Sequence, residues 1–243
     1  MRKLVGLVAA VAVLVGAAIV YAQGDQTVQT LDVKIKPAKA STKKKQRGIT
    51  LDVTTATSNR DGSKHSPTTR AQVFFAKGLK FNDSKFPTCD QAALEQSGPS
   101  ACPKKSLIGR GSADVDARPV IADTIHGQTF GFNAKGHSVL LYTVVTQPIQ
   151  TATTIVGKLQ KASGKFGSKL NVVVPPLPTL PGQPNASITR FQLTTKATIK
   201  KRGKTYNYVV APTTCKRTWP FRASFTFEDG TTANATSNVK CKK

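Results

Sequence analysis

The stretch "CKRTWPFRASFTFEDGTTANATSNVKC", residues 215 to 241, decides the fold. Trp219, Phe221, Ala223, Phe225 and Phe227 alternate with Pro220, Arg222, Ser224 and Thr226, the period of a strand with one buried face. Asp229-Gly230 is a strong hairpin-turn signal, and "TTANATSNV" resumes the strand after it. Cys215 stands just before the first strand and Cys241 just after the second. In an antiparallel pair those open ends lie side by side, so a Cys215–Cys241 bridge is expected to close the hairpin. Trp219, the only tryptophan, is expected in the core beside that bridge. Its spacing departs from the Cys…Trp…Cys pattern of immunoglobulin domains, so the sandwich is immunoglobulin-like at most.

The same texture runs outward from this hairpin. "ITLDVTTAT", "RAQVFFA", "LIGRGSADVDA", "HSVLLYTVVTQ" and "TATTIVGKLQ" are short runs rich in β-branched and aromatic residues, punctuated by Gly, Pro, Asn and Ser. "SITRFQLTTKATI" leads through Lys201-Arg202-Gly203 to "TYNYVVA", a further expected hairpin. Between residues 23 and 243 no apolar helical period is sustained beyond about two turns. The expected fold class is all-β, an antiparallel β-sandwich with one short disulfide-stapled helical turn. In "VVVPPLPTLPGQPNAS", Pro175, Pro178, Pro181 and Pro184 recur every third residue, the period of a polyproline II helix. Leu177 and Leu180 share that spacing, so residues 175–184 read as an extended crossover that lays both leucines on the core.

The helical turn falls in "FPTCDQAALEQSGPSACPKK", residues 86 to 105. Thr88 and Gln91 fit a capping box, Ala92 to Gln96 is good helix material, and Gly98-Pro99 stops it. Four cysteines allow three connectivities, and local pairing, Cys89–Cys102 with Cys215–Cys241, has the lowest closure cost. Closing the first loop stabilises by about 3 kcal/mol in the chain-entropy view. Neither spacing is the C-x-x-C of redox chemistry or of a zinc site.

Arg2 and Lys3 followed by the apolar run Leu4 to Val20, with Val20-Tyr21-Ala22 at its end, read as a signal peptide over residues 1–22. Retention of the run as an anchor is the alternative. After cleavage no membrane span is expected, and the protein is expected to be secreted or cell-wall associated. Residues 23–48 then form a basic N-terminal segment, and residues 49–243 a single β-sandwich domain.

Charge is the strongest compositional signal. The chain has 36 Lys and Arg against 12 Asp and Glu, a net charge of +24, and loss of the leader removes two of those cations. Between Asp123 and Glu228 there are 14 Lys and Arg and no acid. Such a field concentrates polyanions in a salt-dependent way. An anionic cell-wall or extracellular polymer is therefore the expected partner, with Lys43, Lys44, Lys45 and Arg47 as its expected contacts. A structural or partner-binding β module of the cell surface is the second reading.

Catalytic patterns are weak, and the protein reads as non-enzymatic, with no cofactor or metal expected. Gly136-His137-Ser138 resembles a nucleophile elbow, but Leu140 replaces the last glycine and a strand follows. Asp114, Asp116 and Asp123 are near one another and are the carboxylates that a polysaccharide hydrolase would use, but they come without a calcium-type loop. His65, His126 and His137 are scattered along the chain. Aromatics are not interleaved with the basic runs, as a single-strand nucleic-acid platform would require.

Residues 68 to 243 resemble a set of small secreted β-rich proteins from actinobacteria. The likeness rests on the K-G-L-x-F turn (Lys77 to Phe81), the F-P-T-C…S-A-C-P pair (Phe86 to Pro103) and the closing W-x-F-x-A-x-F-x-F hairpin (Trp219 to Phe227) that ends in cysteine. It implies export, paired cysteines and a β fold, and it carries over no functional residue.

Overall fold

The alternation seen in the closing hairpin extends to nearly every segment, and the consequence is one large sheet. The computed structural model describes residues 26–42, 44–148 and 150–243, so the expected signal peptide and Lys43 lie outside the described residues. Its strands are β1 (Thr27–Lys36), β2 (Thr50–Asn59), β3 (Thr68–Ala76), β4 (Lys80–Phe81), β5 (Leu107–Asp116), β6 (Ile125–Ala134), β7 (Ser138–Val145) and β8 (Thr151–Lys161). They continue as β9 (Phe166–Val173), β10 (Ser187–Thr195), β11 (Thr198–Lys201), β12 (Lys204–Asn207), β13 (Val209–Val210), β14 (Thr218–Phe227) and β15 (Thr232–Lys240), and the helix is α1 (Gln91–Ser97). Eleven of them form a single sheet in the order β1-β2-β10-β5-β6-β7-β8-β9-β3-β14-β15.

The expected sandwich is corrected here: the sheet curls into a nearly closed barrel. Its end strands β1 and β15 face each other across a seam, where the Val33 amide donates to Ser237 Oγ at 3.3 Å and Lys39 bridges Lys242 in parallel. Alternation places Leu31, Val33, Leu51, Val139, Leu141, Val172, Ala223 and Phe225 inside. The outward residues of β15, Thr232, Asn234, Thr236, Asn238 and Lys240, are all exposed. The strand of the basic N-terminal segment, β1, pairs with β2 along its whole length, so that segment is continuous with the barrel.

Several strands are thin on their inner side. Gly111 stands where a Cβ would lie 1.8 Å from the Gln192 carbonyl oxygen of β10, and at Gly131 it would lie 3.3 Å from Leu193. Inside the barrel lies a cavity of about 130 Å³, lined mostly by hydrocarbon from most of the strands. An empty void of that size costs about 3 kcal/mol relative to a filled core.

One end of the barrel is plugged. Between β3 and β5 the chain crosses that end and then wraps outside, where Leu94 of α1, wholly buried, packs with Phe132, Leu140 and Tyr142 into a second core. The Cys89–Cys102 disulfide belongs to this outer core, and Cys215–Cys241 closes the β14–β15 hairpin. Asn133 holds the plug: its buried amide donates to the carbonyls of Asp83, Phe86 and Pro87, and its Oδ1 accepts from Tyr208.

The opposite end, the mouth, is capped by two crossovers, residues 60–67 and 174–186. The proline segment carries the chain from β9 to β10, which lie on different sides of the barrel, so it spans the mouth and not a gap between two sheets. Leu177 is half-buried beneath it, whereas Leu180 is 58% exposed, so only one of the two leucines reaches inward.

Three local expectations shift by a residue or two. The α1 N-cap is Asp90, whose carboxylate accepts from the Ala93 amide, because the helix begins at Gln91 and Thr88 stands too early to cap it. The β14–β15 turn is one residue longer than the tightest hairpin, with Phe227 accepting from the Gly230 amide and Gly230 at φ 82°. Lys196 breaks the expected β10 run, and the Arg202-Gly203 turn joins β11 to β12 with both residues at positive φ.

Asn133→Ala removes the donor shared by three buried or half-buried carbonyls and is expected to cost about 2–4 kcal/mol, read as a lower urea midpoint. Replacing Cys215 and Cys241 together by Ser is expected to cost about 3–4 kcal/mol with strand content by circular dichroism unchanged.

Candidate functional site

Barrel closure gathers charge that is scattered in sequence. Strands β8, β9, β3, β14 and β15 are neighbours in the sheet, and none of them contains an Asp or Glu. Across this wall the register sets Arg222 opposite Phe74 and Phe74 opposite Lys169 on the outer face. Lys169 in turn stands opposite Gln160 of β8. Adjacent strands are about 4.8 Å apart, so the Arg222 and Lys169 backbones lie roughly 10 Å from one another.

The aromatic rings of this row hold the cations. The Arg222 guanidinium lies 4.1 Å from the Phe74 ring centre and 5.5 Å from that of Phe166. Lys169 Nζ stands 5.6 Å from Phe74, and Lys165 Nζ 5.4 Å from Phe166. The two rings are 5.5 Å apart and tilted, and with Lys161 they line a surface groove of about 670 Å³. Each contact is worth about 0.5–1 kcal/mol at an exposed site. Buried Arg222 Nε has no hydrogen-bond partner, and no carboxylate pairs with Arg222, Lys161, Lys165 or Lys169 among the described residues.

The next row, toward the mouth, is polar and uncharged apart from Lys158. Ser224, Gln72, Asn171 and Lys158 stand side by side, with the Gln72 side-chain amide donating to Asn171 Oδ1 at 2.9 Å. Hydrogen-bond donors and acceptors thus border the cationic groove.

Elsewhere the acids and their partners are accounted for. Asp61, Asp114, Asp116, Asp123, Glu228 and Asp229 collect at the mouth, Asp83, Asp90 and Glu95 sit in the segment around α1, and on the strands Asp32 of β1 pairs with Lys34 and Asp52 of β2 accepts from Gln192 and Thr194. Asp114 meets His126 Nδ1 at 2.8 Å and His137 Nδ1 meets Asp83 at 2.5 Å, both on exposed histidines. Asp116 accepts from the Arg118 amide, Nε and Nη2. Burial pushes its carboxyl up, but the hydrogen bonds and charge of Arg118 outweigh this and hold it below the usual carboxylate range. His65 is buried against Phe227, with Nδ1 2.8 Å from the Ser66 carbonyl, and desolvation lowers its pKa.

Of the three carboxylates expected to cluster, Asp114 pairs with His126, Asp116 pairs with Arg118, and Asp123 lies in the loop before β6. The three histidines stay apart, and no group of three His, Cys, Asp or Glu comes together among the described residues. Gly136-His137-Ser138 forms the turn between β6 and β7, with Gly136 and His137 at positive φ, so the hydroxyl sits in a hairpin and not at a strand-to-helix elbow. In the basic loop, Lys44 and Lys45 are exposed, whereas the Arg47 side chain donates to the Ala40 carbonyl at 3.3 Å and its amide to Ser41 Oγ.

The wall was missed in sequence because its members are up to 148 residues apart, as Phe74 and Arg222 are. The signal that would have found it is the outward parity of "RAQVFFA", "FGSKL" and "FRASF", which sets one aromatic or cation on the polar face of each strand.

Because Asp116 is depressed in the folded state, it contributes stability above the unfolded carboxyl value of about 3.9, and this is lost as pH falls through the lower folded value. Asp116→Asn is expected to lower stability at neutral pH and to flatten the fall in stability below pH 4, measured by urea unfolding at each pH.

No helix among the described residues is long and apolar enough to cross a membrane. No family model, curated protein or solved structure matches the chain, so the resemblance to secreted actinobacterial proteins stands on its quoted residues alone.

Proposed function

We propose that this protein is an exported, non-enzymatic module that binds anionic polymers on the acid-free wall of its barrel. The observation that carries this reading is the row Arg222–Phe74–Lys169 with Lys161 and Lys165 beside it, cations held on aromatic rings with no carboxylate to neutralise them. Like charges so arranged repel one another, and an incoming anion relieves that repulsion while releasing counterions. Two disulfides suit an oxidising compartment outside the cell.

The chemistry also narrows the polymer. Phe166 is buried and both rings carry cations on their faces, so they serve to fix charge and offer no bare platform for base stacking. The partner is therefore recognised through its phosphate or carboxylate groups, with Gln72, Asn171 and Ser224 available to hydroxyls between them. The exposed loop cations Lys44 and Lys45, with Arg47, form a second basic element at the plugged end, and Lys43 lies outside the described residues.

Binding to polyphosphate across a salt series tests this directly. Each phosphate contact contributes about 0.7 to the slope of log affinity against log salt in a single-stranded polymer. Replacing Lys161, Lys165 and Lys169 together by Gln is expected to reduce that slope by about 2 and to lower the salt needed for elution. If only the fourfold replacement at Lys43, Lys44, Lys45 and Arg47 reduces the slope, the loop is the site. If neither variant changes retention, polyanion binding through these residues is wrong.

A further inference from the structure

We propose that the barrel lumen is a binding site for a small hydrocarbon group, entered from the mouth. The cavity of about 130 Å³ is lined by Val73, Phe75, Leu141, Ile155, Val172 and Leu193 among others. Those six come from β3, β7, β8, β9 and β10, so the void lies between facing walls of the barrel and not beneath a single loop. The lining is hydrocarbon apart from a few threonines, Arg190 and Tyr208, so it offers little of the two to four polar partners that a held water needs, whereas apolar cavities of about this size stay dry and take up benzene. A hydrocarbon group recovers the dispersion contacts that the empty lining lacks.

The two ends of the barrel differ in how they are sealed. The plugged end is filled by packed aromatic rings: Tyr208 lies 5.2 Å from Phe86 and 6.1 Å from Phe81. The mouth is closed by the two crossovers, which hydrogen bonds tie to the first residue of β10, to β3 and to the β14–β15 turn. Ser187 Oγ donates to the His65 carbonyl at 2.6 Å, the Val174 amide to the Thr69 carbonyl at 2.9 Å, and Asn185 to Glu228 at 3.1 Å. Beside them opens a polar cleft of about 690 Å³ between Lys64, Arg118, Pro67 and Pro184. Thr57 and Thr68, at the mouth ends of β2 and β3, line the cavity, and Pro67, which lines the cleft, is the neighbour of Thr68. This route brings the ligand in past the proline segment. The site is independent of the cationic outer wall, since its lining residues point to the other face of the sheet.

Methyl NMR of the full-length oxidised protein, titrated with benzene and separately with decanoate, tests the proposal. Benzene is expected to shift the methyls of Leu141, Ile155, Val172 and Leu193, to leave those of Leu94, Leu140 and Val156 in the outer core unmoved, and to raise the thermal midpoint. Val73→Phe fills the void and is expected to weaken benzene binding at least tenfold while the outer-core methyl pattern stays native. Ala71→Leu serves the same purpose if the larger ring prevents folding. Decanoate binding tighter than benzene identifies the natural group as an acyl tail, and benzene binding alone identifies a free small hydrocarbon, each in keeping with the proposal. Lumen methyls that stay fixed with both probes, or binding that survives both filling variants, overturn it.

Discussion

Eleven strands paired antiparallel have a parity constraint that shapes everything else. Direction reverses at each step around the sheet, so the first and last strands, β1 and β15, run the same way and meet in parallel. The seam is held by a backbone amide to a serine hydroxyl, a parallel bridge at Lys39 and Lys242, and apolar packing of Leu31, Val33 and Ile35 inside. Without that closure two long edges would be left exposed to other chains. With it, each strand has a defined inside and outside, and the outside is polar except where α1 covers Phe132, Leu140 and Tyr142 and where Phe74 and Phe166 carry cations.

Closure sorts charge as well as hydrophobicity. The acid-free stretch between Asp123 and Glu228 supplies β8, β9 and β14, and the barrel inserts β3 among them. Phe74 of β3 is thereby placed where it can carry both Arg222 and Lys169. Most of the acids fall at the mouth and around α1, where histidines, Arg118 and an N-cap employ them, while Asp32 of β1 and Asp52 of β2 have partners on their own wall. The result is a polarised molecule: one wall cationic, one end acidic and locally neutralised, and a lumen of hydrocarbon.

Local features were legible in the sequence and the global one was not. Alternation in "TWPFRASFTF", the Asp229-Gly230 turn and the position of the flanking cysteines read out the last hairpin and its bridge. The helix between Cys89 and Cys102 was equally plain, although the cap moved from Thr88 to Asp90. By contrast β6, "IHGQTFGFNA", carries Gly127 and Gly131 on its inner face and so lacks the apolar alternation that reveals a strand. Sandwich and barrel share the same strand pattern, and what separates them is the nonlocal pairing of β2 with β10 and of β3 with β9 and β14. The candidate site depends on those same pairings, and this is why a run of lysines in sequence drew notice before the dispersed wall did.

The most direct test of the link between closure and charge is amide chemical-shift mapping during titration of the oxidised protein with a short polyphosphate. This account expects perturbations concentrated on β3, β8, β9 and β14 around Phe74, Lys161, Lys169 and Arg222, fading as salt is raised, with α1 and the mouth unmoved. Perturbations spread evenly over all exposed lysines, or confined to the segment after β1, would contradict it.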